Sequence, residues 1–164
     1  MKKCYNAFKW LSVVVAFVML ISISTTVYAA TGSKIKTSTV KMKVGLEPDT
    51  SGSSNTVTFN FNDTTIPNNA TVTKVVISTP LSSHAGVNAI TLDSYVLTSP
   101  YNGSWTIPVT SGNSATSFAS AGASVKGTWS LYLNATCYDS GVLPYPTNSS
   151  SVYYPAKLTI YFQY

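Results

Sequence analysis

Few residues of this chain could carry out nucleophilic or acid–base chemistry. Among its 164 residues there is one histidine, His84, and Cys137 is the single cysteine beyond the first thirty positions. A serine–histidine–aspartate arrangement would have to use His84, but no Gly-x-Ser-x-Gly motif accompanies it. Its Ser-Ser-His-Ala-Gly context is typical of a surface histidine in a loop. We therefore predict no catalytic residue and a protein that is not an enzyme, with a small secreted hydrolase as one alternative.

Metal ligands are equally sparse. A zinc site needs three or four ligands, and one histidine with one cysteine does not supply them. Glu47 is the only glutamate, so the paired carboxylates of glycoside hydrolysis are not expected either. We predict no cofactor and no metal site. Calcium stays an open alternative, because loop carbonyls can complete a site begun by an aspartate, here Asp49, Asp63, Asp93 or Asp139.

Tyrosine is the residue in surplus, with 11 in the chain. Tyr132 and Tyr161 fall on the polar positions of two alternating segments, and Tyr101 lies in a turn. Exposed tyrosines can stack on sugar rings or anchor a protein partner. These three are therefore the candidate ligand-binding residues. The alternative is that tyrosine simply suits half-buried strand positions.

Residues 1–29 are predicted to be a signal peptide. Lysines at positions 2, 3 and 9 precede an apolar run over 10–23, and Val27-Tyr28-Ala29 resembles a signal-peptidase site. Cleavage after Ala29 would leave one domain over 30–164. The alternative is an uncleaved anchor, although the run is shorter than the ~20 residues a spanning helix needs. The protein is thus expected to be secreted by a bacterium, with no integral membrane segment after cleavage.

Charge excludes a nucleic-acid partner. The formal net charge is +5, but three of the ten lysines lie in the leader, which leaves +2, and there is no arginine. Four lysines near the mature N-terminus alternate with apolar residues, and we predict that they form a solvated strand face. The lysines are Lys34, Lys36, Lys41 and Lys43, and the apolar residues are Ile35, Val40, Met42 and Val44.

The elements that must position these residues are strands. Apolar and polar residues alternate over 39–44, 56–61, 71–79, 90–99, 104–109, 128–137 and 157–164, with turn signals between. Pro108 marks an edge strand, Asp93 marks a break within 90–99, and 115–125 is a loop or weak strand. Seven or eight such strands predict an all-β protein, an antiparallel, jelly-roll-like β-sandwich.

The core of that sandwich is predicted from strand parity. Trp129, Leu131 and Leu133 share one face of the segment 128–137, and Phe59 and Phe61 share one face of another. Cys137 has the parity of Trp129, so we also expect a buried thiol.

Three segments resemble the P-domain, the jelly-roll sandwich that follows the catalytic domain in proprotein convertases. Gly127-Thr128-Trp129-Ser130-Leu131 is similar to its G-x-W-x-L strand, Thr65-Ile66-Pro67 to its I-P strand entry, and Leu97-Thr98-Ser99-Pro100 to its L-x-S-P turn. Ala135 stands where the family has an aspartate, so its metal-binding acids are not carried over. The resemblance implies a jelly-roll topology and an accessory, non-catalytic module.

These observations predict a secreted, non-catalytic binding or structural module of the cell envelope or extracellular matrix. Its partner would be an envelope polysaccharide or another extracellular protein, and any wall association would be non-covalent. A carbohydrate-binding module that uses surface tyrosines is the first alternative, and the hydrolase is the second.

Overall fold

A computed structural model describes residues 29–101, 103–141 and 147–164. These ranges contain twelve strands and no helix. The strands are β1 (Thr31–Thr37), β2 (Met42–Leu46), β3 (Ser51–Ser53), β4 (Val57–Asn60), β5 (Thr71–Ser78), β6 (Leu81–Ala85), β7 (Ala89–Ser99), β8 (Gly103–Pro108), β9 (Ser114–Ser117), β10 (Thr128–Tyr138), β11 (Ser149–Tyr153) and β12 (Lys157–Gln163). The leader prediction falls almost entirely on residues 1–28, outside the described ranges.

The strands form an antiparallel sandwich, which confirms the predicted fold class. Sheet A has the order β1-β12-β5-β9, and sheet B has the order β2-β11-β6. Sheet C has the order β3-β10-β7-β8, with β4 also pairing to β10. β1 contacts β4 at one flank and β8 contacts β9 at the other, so sheets A and C are opposite layers.

Sheet B continues sheet A after a break that three chain segments share. β1 leads into β2, β5 into β6, and β11 into β12, each through a short interruption. The interruption is held by Ser38, whose N–H donates to the Ala156 carbonyl (2.8 Å) and whose Oγ accepts from the Ala156 N–H (2.9 Å). One layer therefore consists of sheets A and B, and sheet C is the other.

The core lies between the layers. All five residues predicted for it from parity are buried, namely Trp129, Leu131, Leu133, Phe59 and Phe61. The Trp129 indole N–H donates to the Val125 carbonyl (2.9 Å), and its ring stacks on Trp105 with centroids 6.2 Å apart. The Cys137 thiol is buried as well, as its parity predicts.

Gly127 occupies a position that only glycine fills without strain. Its φ is +124°, and a β-carbon there would clash with the ring of Pro100. The turn before β10 therefore packs directly on the turn after β7. The loop before β5 is also attached to the core. Ile66 in that loop is buried, and the Ala70 carbonyl accepts a hydrogen bond from the Val125 N–H (3.2 Å).

The predicted lysine face is wrong for the first half of its segment. Lys34 and Lys36 occupy the inward, half-buried positions of β1, whereas Ile35 is 62% exposed and Val40 is 51% exposed. The cause is Asp63, whose carboxylate lies 2.9 Å from Lys34 Nζ and 3.8 Å from Lys36 Nζ. The alternation holds in β2, where Met42 and Val44 are buried.

Several strands lack a readable alternation. The serine-rich strands β3, β6 and β11 fall in segments predicted as turns or loops, and β9 overlaps the segment predicted as a loop or weak strand. β1 contains the first two lysines of the predicted strand face. His84 lies in β6 and not in a loop. β7 is continuous through Asp93, where a bulge opposite Asn134 and Ala135 takes the place of the predicted break. β8 lies at the edge of sheet C, as Pro108 predicts.

Candidate functional site

A cleft of about 300 Å³ opens between the two layers on the flank where β6 is the edge strand. β6 and β11 of sheet B form one wall, and the first residues of β7 in sheet C form the other. The turn between β8 and β9 closes one end. The lining residues are Leu81, His84, Ala89, Ile90, Asn113, Ser151 and Tyr153.

The walls combine apolar surface with a few polar groups. Leu81 is 46% exposed at the mouth, Ile90 is half-buried, and Tyr153 is buried beneath them. Burial raises the pKa of the Tyr153 phenol, so that side chain is neutral at physiological pH. A mostly apolar recess with few convergent polar groups is the usual form of a binding site.

His84 and Ser151 form the polar pair of the cleft. They lie opposite each other on β6 and β11, and His84 Nδ1 is 2.9 Å from Ser151 Oγ. His84 is exposed, whereas Ser151 is only 2% exposed. A serine hydroxyl bonded to an imidazole is the contact that nucleophilic catalysis uses. In this structure, however, the hydroxyl is shielded from an incoming substrate.

The Asn113 turn is fixed from inside the core. Its carbonyl accepts hydrogen bonds from the Tyr95 hydroxyl (2.6 Å) and from the Thr79 N–H (3.0 Å), while Asn113 itself has a φ of +55°. Tyr95 Oη also bonds Thr79 Oγ1. Burial raises the pKa of Tyr95 to about 12. Hydrogen bonds from Tyr95 and Thr79 thereby anchor this end of the cleft.

The structure does not bring the three candidate tyrosines together. Tyr132 lies on the outer face of sheet C and Tyr161 on the outer face of sheet A, which are opposite surfaces of the sandwich. Tyr101 is 76% exposed in the β7–β8 turn. The Lys74 ammonium lies 4.2 Å from the centroid of the Tyr161 ring, so a cation already covers part of that ring. None of the three lines the cleft.

Of the four aspartates considered for calcium, the structure brings Asp49 and Asp139 together, whereas Asp63 and Asp93 bond to other residues. Asp63 accepts from the Thr65 N–H (2.9 Å) and pairs with Lys34, and these interactions hold its pKa well below its usual range. Asp93 accepts from Thr136, and Asp49 accepts from the Asp139 N–H (3.0 Å). Within the described ranges, no group of three or more histidine, cysteine or acidic residues could hold a metal ion. Those ranges also contain no helix long and apolar enough to span a membrane.

No protein-family model matches the chain, and no curated protein does. Among solved structures, the crystal structure of FLHE has a TM-score of 0.47 and 15% identity over 83% of this chain and 100% of that chain. A protein described as "a putative secreted protein from Eubacterium rectale" has a TM-score of 0.50 and 15% identity over 87% of this chain. The match covers 44% of the Eubacterium rectale chain, and the likeness is one of fold.

Sequence reasoning missed the cleft because β6 and β11 carry little apolar signal. The inward positions of β11 are Ser149, Ser151 and Tyr153, and its apolar Val152 points outward. The one available signal was His84 itself, an imidazole in a serine-rich segment. Only the pairing of β6 with β11 brings it to Ser151.

Proposed function

We propose that this chain is an exported, non-catalytic β-sandwich that binds a component of the cell envelope or extracellular matrix through the cleft beside β6. The cleft carries the proposal, because it is a solvent-open, largely apolar recess in a sandwich whose core is otherwise buried. The resemblance of three segments to the P-domain supports an accessory role. Envelope polysaccharide and extracellular protein are the two partner classes.

Export is supported by the pattern of residues 1–29 and by the description of the Eubacterium rectale protein. We expect intact-mass analysis of the culture medium to find a chain that begins at Ala30. A full-length product in the membrane fraction would contradict export with cleavage.

Binding is tested by incubating the mature chain with purified cell-wall and culture fractions. Leu81→Lys places a charge at the cleft mouth, and its aliphatic stem limits the structural cost. Ile35→Lys is the matched control, because Ile35 is exposed on β1 at the other flank. We expect Leu81→Lys to lose at least about tenfold in retention, as loss of one buried apolar contact implies. Equal retention of both variants would contradict a role for the cleft.

A small hydrolase is the second candidate, and the His84–Ser151 contact favours it. The low exposure of Ser151 argues for binding over catalysis. A panel of p-nitrophenyl esters separates the two. Turnover that disappears in both Ser151→Ala and His84→Ala, with the fold preserved by circular dichroism, would establish hydrolysis. Turnover unaffected by either substitution would exclude it.

A further inference from the structure

We infer that the partner of the cleft is an extended segment of another protein, which adds to the free edge of β6 as a further strand of sheet B. The inference rests on the proposed binding role and names its partner class. Three features carry it: the number of strands in each half of the sandwich, the protection of the β1 and β2 edges, and the side chains at the β6 edge.

The two halves of the sandwich have different strand counts. In the sheet A half, β9 lies beside β5 and β8 lies beside β7. In the sheet B half, β6 pairs with β11, and no further strand lies beside it among the described residues. β8 pairs with β7 only over Ser94–Ser99, so the pairing stops short of Ala89 and Ile90. The cleft thus lies where a fourth strand of sheet B would lie beside β6. That strand would correspond to β9 in sheet A.

The opposite flank of the sandwich is protected. β1 directs Lys34 and Lys36 inward to Asp63, and an inward-pointing charge discourages the addition of a further strand. On β2, the Asn55 side chain accepts from the Lys43 N–H (2.7 Å) and donates to the Lys41 carbonyl (3.2 Å). The Asn55 N–H also donates to the Lys43 carbonyl (3.4 Å). The edge N–H and carbonyl of Lys43 in β2 are therefore already satisfied.

β6 has neither device. Its inward residues at the cleft are Leu81 and His84, and it carries no lysine, aspartate or glutamate. The side chains of its serines are small, so they leave room beside the outer face of β6. An unpaired strand edge offers N–H donors and C=O acceptors, and an extended peptide satisfies both while its alternate side chains enter the recess between the layers.

This geometry specifies the partner's sequence pattern. Side chains of an added strand alternate between the cleft and the solvent. Those entering the cleft would contact Leu81, Ile90 and Tyr153, so they should be apolar. Those on the other face lie beside Ser83 and should be polar. The partner segment is expected to alternate apolar and polar residues over a strand length.

A random heptapeptide library displayed on phage is the probe. Selection on the mature chain should yield peptides with apolar residues at every second position. The selected peptide is then synthesised unmodified, N-methylated at odd positions, and N-methylated at even positions. Strand addition uses one edge of the peptide, so one methylated form should lose about tenfold or more in affinity and the other should bind as the parent does.

The position of the bound peptide is determined by amide hydrogen exchange and by two variants. Peptide binding should protect the β6 amides that point to the free edge, which alternate with those that face β11. Leu81→Lys should weaken binding about tenfold, while Ile35→Lys leaves it unchanged. Equal affinity of the two methylated forms, protection at another edge, or the selection of no peptide would overturn the inference. If a polysaccharide or a second copy of the chain is retained through Leu81 instead, the proposed function stands and the strand inference fails.

Discussion

Burial determines the chemistry of the titratable side chains in this sandwich at the scale of single residues. Tyr95, Tyr153 and Cys137 are all buried, and each has a raised pKa because the charged form would lose its hydration. Asp63 has the opposite shift, since it accepts hydrogen bonds from Thr65 and lies beside Lys34. Burial and hydrogen bonding therefore shift the pKa values of these side chains in opposite directions.

Cys137 is expected to behave as a small core residue. The Cys137 thiol is buried, and burial raises its pKa. The thiol is therefore neutral, whereas the thiolate is the reactive form. We expect slow reaction with a thiol reagent such as DTNB in the native protein and fast reaction in denaturant. Non-reducing electrophoresis should show a monomer. A covalent dimer in freshly secreted material, abolished by Cys137→Ser, would refute the assignment.

Tyr95 should make the protein sensitive to alkali. Its folded pKa of about 12 lies above the ordinary tyrosine value of 10.0, so its contribution to stability is complete below pH 10 and is lost as the pH rises towards 12. The free energy of unfolding, measured by denaturant titration from pH 8 to 11, should fall in this window. The fall should be smaller in Tyr95→Phe. Identical slopes for the two proteins would show that Tyr95 does not titrate with unfolding.

At the scale of elements, a turn position can restrict the residue type as strongly as a buried strand position does. Gly127 and Gly122 both have positive φ, +124° and +85°, but they differ in their surroundings. A β-carbon on Gly127 would meet Pro100, whereas one on Gly122 would meet nothing within 4 Å. The two positions therefore separate backbone strain from steric clash.

Gly127→Ala and Gly122→Ala form a matched pair for that comparison. Backbone strain alone should cost about 1–2 kcal/mol at either position. Overpacking against Pro100 should add about 1–3 kcal/mol at Gly127. Chemical denaturation should thus find Gly127→Ala clearly the less stable of the two. Equal losses of stability would mean that Pro100 moves away from a β-carbon at Gly127 without a cost in free energy.

At the scale of the whole molecule, a buried serine bonds across the junction between sheets A and B. Ser38 is 4% exposed and replaces a backbone ladder bond with its own hydroxyl, which accepts from Ala156 and donates to the Val40 carbonyl (2.8 Å). Thr79 is buried at the corresponding break after β5.

Ser38→Ala tests that junction. The substitution leaves the buried Ala156 N–H without its acceptor, which should cost about 1–3 kcal/mol. Ser33→Ala is the control, because Ser33 is exposed on β1 and should change the stability by less than about 0.5 kcal/mol. Both are measured by denaturant unfolding. A loss for Ser38→Ala no larger than that of the control would show that the layer does not rely on this hydroxyl.

The sequence determined whatever depends on neighbouring residues along one strand. The alternation around Trp129, Phe59 and Met42 assigned inside and outside correctly, because strand parity is a local property with a period of two. The all-β class followed from the same pattern. Pro108 marked an edge strand because proline lacks the N–H that a central strand donates.

Tertiary structure decided whatever depends on pairing between distant segments. Lys34 and Lys36 point inward because Asp63 is brought to them, and His84 meets Ser151 because β6 and β11 pair across 67 residues. The cleft lies on the flank where sheet B, in the part of the chain that the structure describes, has one strand fewer than sheet A. None of these follows from periodicity, since the serine-rich strands β6 and β11 carry little apolar alternation and the alternation around Ile35 does not reveal the Asp63 partner. A strand's free edge is defined only once its neighbours are known.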